Sequence, residues 1–483
     1  MLIGIATKSH HRDSRRQSTF VHNLDDDSLL NVFHYCRPAF SNEGEFPGFY
    51  TFQQWKWEDG RWWYNLVQVC RRWRYLVIGS AFHLGISFLC TYGTPVADML
   101  AHEPSLPLSI DRLHHHDTTP KDNEDILLAI QCRDRVHRIR LQIPVPDLET
   151  LVKAMDGEFP MLEYLAITPP TLHYTDLMLP STFHAPRLRH LMLLDTTFPI
   201  ASPSLSASAG LVTLSLRWVN PSTFLFADEL LQGLSFVPRL EILQISFGFS
   251  VFDPNVEKQM SHEPIMTHVS LPNLRRFAFE GDRAYFEALL PWLTMVLLEK
   301  LKIVFFREPT FHVPHLLQLL TLAESCSFGL VDLTFYEEFV SVMAHPSGAV
   351  GLNFSVLYLD DRSFHRQLNS AVRIFNSLGT LFSAVENLTL GHERNTGSED
   401  QDTDADRTRW CKLLRTFPNV TSLCIEDRRT GELSRSLQFG LGESPMDLLP
   451  QLRKLLSHDD VGIFSAFADA RQKAGRPVSL VAL

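Results

Sequence analysis

The chain has 483 residues, 45% of them hydrophobic and 20% charged, with a formal net charge of −11. That apolar content supports a sizeable core and excludes wholesale disorder, and the acidic balance argues against a general nucleic-acid binder. The longest apolar stretches, such as Leu289–Leu298, fall short of the roughly 20 residues that cross a bilayer, so no membrane partner is expected. Met1–Ala6 is too short for the apolar core of a secretory signal. Seven scattered cysteines with no C-x-x-C read as reduced thiols of an intracellular protein, cytoplasmic or nuclear or both.

Charge divides the chain. Residues 1–80 hold ten Lys/Arg against eight Asp/Glu, so residues 81–483 carry −13. After a tail over 1–19 that reads as disordered, HNLDDDSLLNVFHYC (22–36) places Leu29, Leu30 and Phe33 at helical spacing behind an acidic cluster. Asp25 or Asp27 is suited to cap that helix, where carboxylates also favour the helix dipole. An insertion over 37–62 is rich in aromatics and reads as a local satellite core. NLVQVCRRWRYLVIG (65–79) then sets Leu66, Val69, Cys70, Trp73 and Val77 on one helical stripe, with Leu76 at its edge and Gly79 as a stop.

From residue 136 onward a phrase of three apolar residues recurs, the second three places after the first and the third two places later. The copies are Val136/Ile139/Leu141, Leu162/Leu165/Ile167, Leu188/Leu191/Leu193, Leu211/Leu214/Leu216, Leu240/Leu243/Ile245, Leu274/Phe277/Phe279 and Leu298/Leu301/Ile303. Leu330/Leu333/Phe335, Phe354/Leu357/Leu359, Val385/Leu388/Leu390, Val420/Leu423/Ile425 and a truncated Leu452/Leu455 follow, 23 to 35 residues apart. The last two positions of each copy share one face of a strand, too short to bury that face alone, so each copy must stack on the next. Pro often precedes the phrase, and stretches such as 147–159 and 227–237 carry helical spacing. The expected fold is therefore α/β: a curved parallel sheet with helices outside. Segments 248–270 and the acidic GSEDQDTDAD (397–406) read as loop insertions, the second disordered.

The first part resembles an F-box: Val69, Cys70, Arg71, Trp73 and Leu76 match its V-C-R-x-W-x-x-L segment, and the helix after Leu24 matches its opening. Asp25 and Asp27 stand where that family has Pro and Glu. The phrases resemble degenerate leucine-rich repeats, lacking the usual Asn after the strand, and the pairing is similar to that of large fungal families. The resemblance implies an F-box-like helical module over 20–82 and an irregular leucine-rich-repeat solenoid over 83–480. It further implies a substrate-receptor subunit of a Skp–cullin–F-box ubiquitin ligase, docking the Skp adaptor, and cullin through it, with an unknown target protein on the repeat arc. Leu24, Leu29, Leu30, Phe33, Leu66, Val69, Cys70, Trp73 and Leu76 are the implied adaptor-binding residues, some of which must face the module's own interior. The alternative is a stand-alone repeat scaffold whose helices cap the first repeat.

Nothing points to catalysis, a metal or a cofactor. There is no G-x-S-x-G, P-loop, G-x-G-x-x-G or H-E-x-x-H. Adjacent His114, His115 and His116 alternate direction in an extended loop and do not converge on one ion, and His262 and His268 lie in a polar insertion.

Overall fold

A computed structural model describes residues 24–36, 62–102, 106–113, 120–170, 177–196, 208–219, 226–248, 267–306, 311–322, 328–346, 350–358, 364–393, 404–426, 430–437, 447–458 and 461–483. The chain divides into two compact units, Met1–Cys90 with Pro95–Ser109, and Thr91–Thr94 with Ile110–Leu483. The first unit thus reaches beyond residue 82. The tail 1–19, most of the aromatic insertion, His114–His116 and His262 lie outside the described residues.

β1 (Phe88–Cys90) and the start of β2 (Leu108–Leu113) belong to the first unit. The larger unit is mixed α/β, and most of its strands fall on the phrase copies. They are β3 (Val136–Gln142), β4 (Tyr164–Ile167), β5 (His190–Leu194), β6 (Thr213–Val219), β7 (Ile242–Phe247), β8 (Val269–Ser270), β9 (Arg276–Gly281), β10 (Leu293–Thr294) and β11 (Lys300–Phe306). β12 (Phe328–Tyr336), β13 (Phe339–Pro346), β14 (Gly351–Leu357), β15 (Asn387–Glu393), β16 (Ser422–Ile425), β17 (Lys454–Ser457) and β18 (Ser479–Ala482) follow. β8 and β10 pair separately, so a strand closes the segment 248–270 that reads as a loop. The rest form one open, mostly parallel sheet, ordered β3-β4-β5-β6-β7-β9-β11-β14-β13-β12-β15-β16-β17-β18.

Local chemistry explains the phrase. In Phe159-Pro160-Met161-Leu162 the Phe159 carbonyl accepts from the Leu162 N–H at 3.2 Å, and the same bond closes Ala185–Leu188, Val237–Leu240, Leu271–Leu274 and Leu449–Leu452. Each proline occupies the second place of a turn, where its fixed φ is already correct. The residue after the first apolar position then donates to its counterpart one copy back, as from Glu163 to His137, Arg189 to Glu163 and Arg275 to Glu241. A backbone ladder therefore joins successive copies at the entry to each strand. Ile139, Leu165, Leu191, Leu214, Leu243, Phe277 and Leu301 lie side by side in register, all within 1% of complete burial.

Helices pack on the face that carries these side chains. Phe277 and Phe279 of β9 meet Phe286 of the helix Arg283–Leu289, at 5.8 and 4.8 Å between ring centres. Gly281 makes room here, since a Cβ would stand 2.8 Å from the Phe247 ring. Val145–Lys153 and Ala227–Ser235 are helical as their spacing predicts. Another helix, Asp404–Leu414, begins inside the acidic segment 397–406, which corrects the expectation of disorder at least from Asp404 onward. Aspartates at a helix start are favoured by the dipole.

Two phrase copies are misread, and both lie where stacking in chain order breaks. β14, not β12, pairs with β11, placing Leu352 and Phe354 opposite Leu301 and Ile303. Leu352 and Phe354, not Leu357, therefore hold the strand positions of that copy, and Leu359 lies outside the described residues. β13 runs antiparallel between β14 and β12, and β12 sets Val331 and Leu333, not Leu333 and Phe335, against Leu388 and Leu390 of β15. The reason is frame ambiguity: apolar Leu330 shifts the β12 copy two residues from Phe328/Val331/Leu333 although that strand alternates, and around β14 the sequence fits the phrase both as Ala349/Leu352/Phe354 and as Phe354/Leu357/Leu359.

Candidate functional site

The amino-terminal unit is built from short helices. Helix α1 (Asp26–Tyr35) starts at Asp25, whose carboxylate accepts from the Ser28 N–H at 2.7 Å. That bond, made to the charged form, holds the Asp25 carboxyl below its ordinary pKa. Of the two candidate caps, Asp25 is therefore the one used. Leu29 and Phe33, four residues apart, point inward and are fully buried.

The stripe over 65–79 is not one helix. Helix α2 (Tyr64–Val69) and helix α3 (Arg71–Gly79) are separated by Cys70, whose backbone is extended at φ −161° and ψ 170°. Its Sγ accepts from the Trp73 N–H at 3.5 Å, so the cysteine caps α3 instead of continuing α2. The break turns Val69 outward to 58% exposure while Val77 goes fully inside with Leu76. Helix α4 (Ala81–Leu84) ends at Gly85, whose φ of +63° is the left-handed value that glycine takes without strain.

Side chains bind the helices together. Arg72 reaches across to α1, donating through Nε and Nη2 to Asp26 Oδ1 at 2.9 and 2.6 Å and through Nη2 to the Leu24 carbonyl at 2.6 Å. Arg74 Nε donates to the Val67 carbonyl at 3.0 Å. Trp73 lies half-buried, edge to face with Phe33 at 4.7 Å.

The nine singled-out residues therefore separate by place. Leu29, Phe33 and Leu76 belong to the unit's own interior, Leu30, Leu66, Cys70 and Trp73 are half-buried, and Leu24 and Val69 are exposed. Sequence reasoning missed five further exposed apolar side chains, Val32, Tyr35, Tyr64, Tyr75 and Phe82, at 45%, 89%, 39%, 79% and 64%. Their signal was present: Tyr75 sits two residues from Trp73 and so falls on another side of α3.

No family model matches the chain, and no curated protein does. Among the described residues no His, Cys, Asp or Glu cluster has the geometry of a metal site. None of the described helices is long and apolar enough to cross a membrane.

Proposed function

We propose that the chain is the substrate-receptor subunit of a Skp–cullin–F-box ubiquitin ligase, working in the cytoplasm or nucleus. The amino-terminal unit is read as an F-box that docks the Skp adaptor, and the strand ladder as an irregular leucine-rich-repeat solenoid that holds the target protein. In this reading the chain binds and positions; the chemistry of ubiquitin transfer belongs to other subunits. The observation that carries the proposal is the apolar surface the unit leaves uncovered around the V-C-R-x-W-x-x-L segment: exposed Val69, with half-buried Leu66 and Trp73. A permanent interface of this kind buries on the order of 2,000 Å².

The test is co-purification with a Skp adaptor, comparing wild type with Val69→Asp and Leu24→Asp. Both side chains are exposed, so the folded chain loses little, whereas a desolvated carboxylate in an interface lowers recovery at least about tenfold. Equal recovery of wild type and both variants refutes the docking reading. One observation favours the stand-alone scaffold instead. Leu29, Phe33, Val77 and Leu84 already give the unit a fully buried core of its own. That reading predicts a monodisperse, folded chain with no adaptor present.

A further inference from the structure

The sheet of the larger unit ends on β18, and among the described residues no strand lies beyond it. β18 runs parallel to β17, in register from Lys454 beside Ser479 to Ser457 beside Ala482. The Ser479 N–H donates to the Arg453 carbonyl at 2.8 Å and the Leu483 N–H to the Ser457 carbonyl at 3.0 Å. Backbone groups alternate in direction along a strand, so Ser479, Val481 and Leu483 turn theirs toward β17 while Leu480 and Ala482 turn theirs outward. Side chains alternate too. Leu480 lies beside the fully buried Leu455 on the helix-covered face, and Val481 lies beside Leu456 on the other.

Native sheets blunt an edge with charge, proline, a bulge or a covering segment. The stretch Val478–Leu483 carries no charge, proline or glycine, and its pairing with β17 runs without a bulge. Ser479 and Ala482 are exposed, Leu480 and Val481 are half-buried, and Leu483 is 54% exposed.

What fits this edge is read from its side chains. Turned about a two-fold axis at Val481, the strand runs antiparallel to its own copy. Leu480 then stands opposite Ala482 of the second copy, and Ala482 opposite its Leu480. These are the outward-turned residues, so both pairs are hydrogen-bonded and four N–H···O=C bonds form. Val481 meets its own counterpart at the closer, non-bonded spacing of about 4.5 Å, where β-branched pairs are favoured. A long side chain thus lies beside a short one on the helix-covered face, and valine on valine on the other.

We infer that two copies of this chain join edge to edge through β18, antiparallel, with Val481 on the axis. The inference is independent of the ligase reading. Four bonds and five residues a side make an interface smaller than the roughly 1,200 Å² of stable complexes, so the dimer is weak, with a dissociation constant of about 10–100 µM.

The test is sedimentation equilibrium of the full-length chain from about 2 to 300 µM, a range that spans that constant. The expected mass climbs from one chain toward two and no further. Ala482→Pro removes one outward N–H from each copy and sets a ring in the edge, while the bonds to β17 stay; association should weaken about tenfold or more. Val481→Lys and Val481→Asp each set like charges face to face and should abolish dimers. An equimolar mixture of those two should restore them through a Lys–Asp pair, which also shows that both variants fold. A wild type that stays monomeric throughout, or grows beyond two chains, overturns the inference. So does Ala482→Pro that dimerises as wild type does, or a mixture that stays monomeric.

Discussion

Phe33→Ala separates what holds the amino-terminal unit together from what it presents outward. The ring is fully buried and stands edge to face with Trp73 at 4.7 Å. Truncation removes its burial, leaves a cavity beside an indole and loses the ring pair, which together cost about 3–4 kcal/mol. A small helical unit has only a few kcal/mol to lose, so α1 should come away from α3. The neighbour Val32 is 45% exposed, and Val32→Ala should change stability by less than about 0.5 kcal/mol. Hydrogen exchange read by mass spectrometry over 26–35 and 71–79 is the direct assay. Three kcal/mol corresponds to roughly a hundredfold faster exchange in Phe33→Ala, with Val32→Ala unchanged. Equal protection in the two variants would show that the inward packing of Phe33 does not hold the unit, and the division of residues by place would fail with it.

Three further expectations concern the larger unit. Glu287, 8% exposed, accepts from the His315 and Leu316 N–H groups at 2.9 and 3.1 Å, at the start of the helix Pro314–Leu322. Glu287→Ala should cost about 2–3 kcal/mol in denaturant titration, and a loss under 0.5 kcal/mol would refute the capping role. Arg140 Nε and Nη2 grip Asp111 Oδ1 and Oδ2 at 2.6 Å each, in a nearly enclosed pair. Arg140→Met leaves that carboxylate alone and should cost about 3–5 kcal/mol, whereas adding Asp111→Leu should recover much of it; a double variant as unstable as the single contradicts this. Burial first, then Arg189 and Arg138, depresses His190 to a pKa of about 4. The unfolded chain takes up the proton from about pH 6.5 downward and the folded chain only near 4, so stability falls as pH drops through that window, by ~3 kcal/mol at most. His190→Gln should flatten the slope between pH 6.5 and 4, and an unchanged slope would place its cause elsewhere.

Where strands stack in chain order, the sequence was legible: from Ile139 to Ile303 the paired positions of seven copies stand in register as their spacing implies. Legibility ended where that order ended. β14 sits beside β11 with β13 and β12 beyond it, and no spacing within one strand records which strand becomes its neighbour. β2 escaped notice because Asp111 and Arg112, polar by type, are themselves buried. In the amino-terminal unit, helical spacing ran unbroken through Cys70 although the helix does not. A single sulfur turned back on the Trp73 N–H re-aims everything before it, and periodicity carries no trace of such a bond.

The inverted order of β12, β13 and β14 bears on how the chain can be made. A polypeptide leaving the ribosome lays each main-sheet strand from β4 to β11 against a predecessor already in place. At Phe306 the sequence of arrivals fails, for the seat beside β11 belongs to β14. Until Leu357 has emerged, the half-finished protein carries a raw margin of Val304, Phe305 and Phe306. Such a margin invites any passing strand, so demand for chaperones during synthesis should peak there and subside once the hairpin folds back.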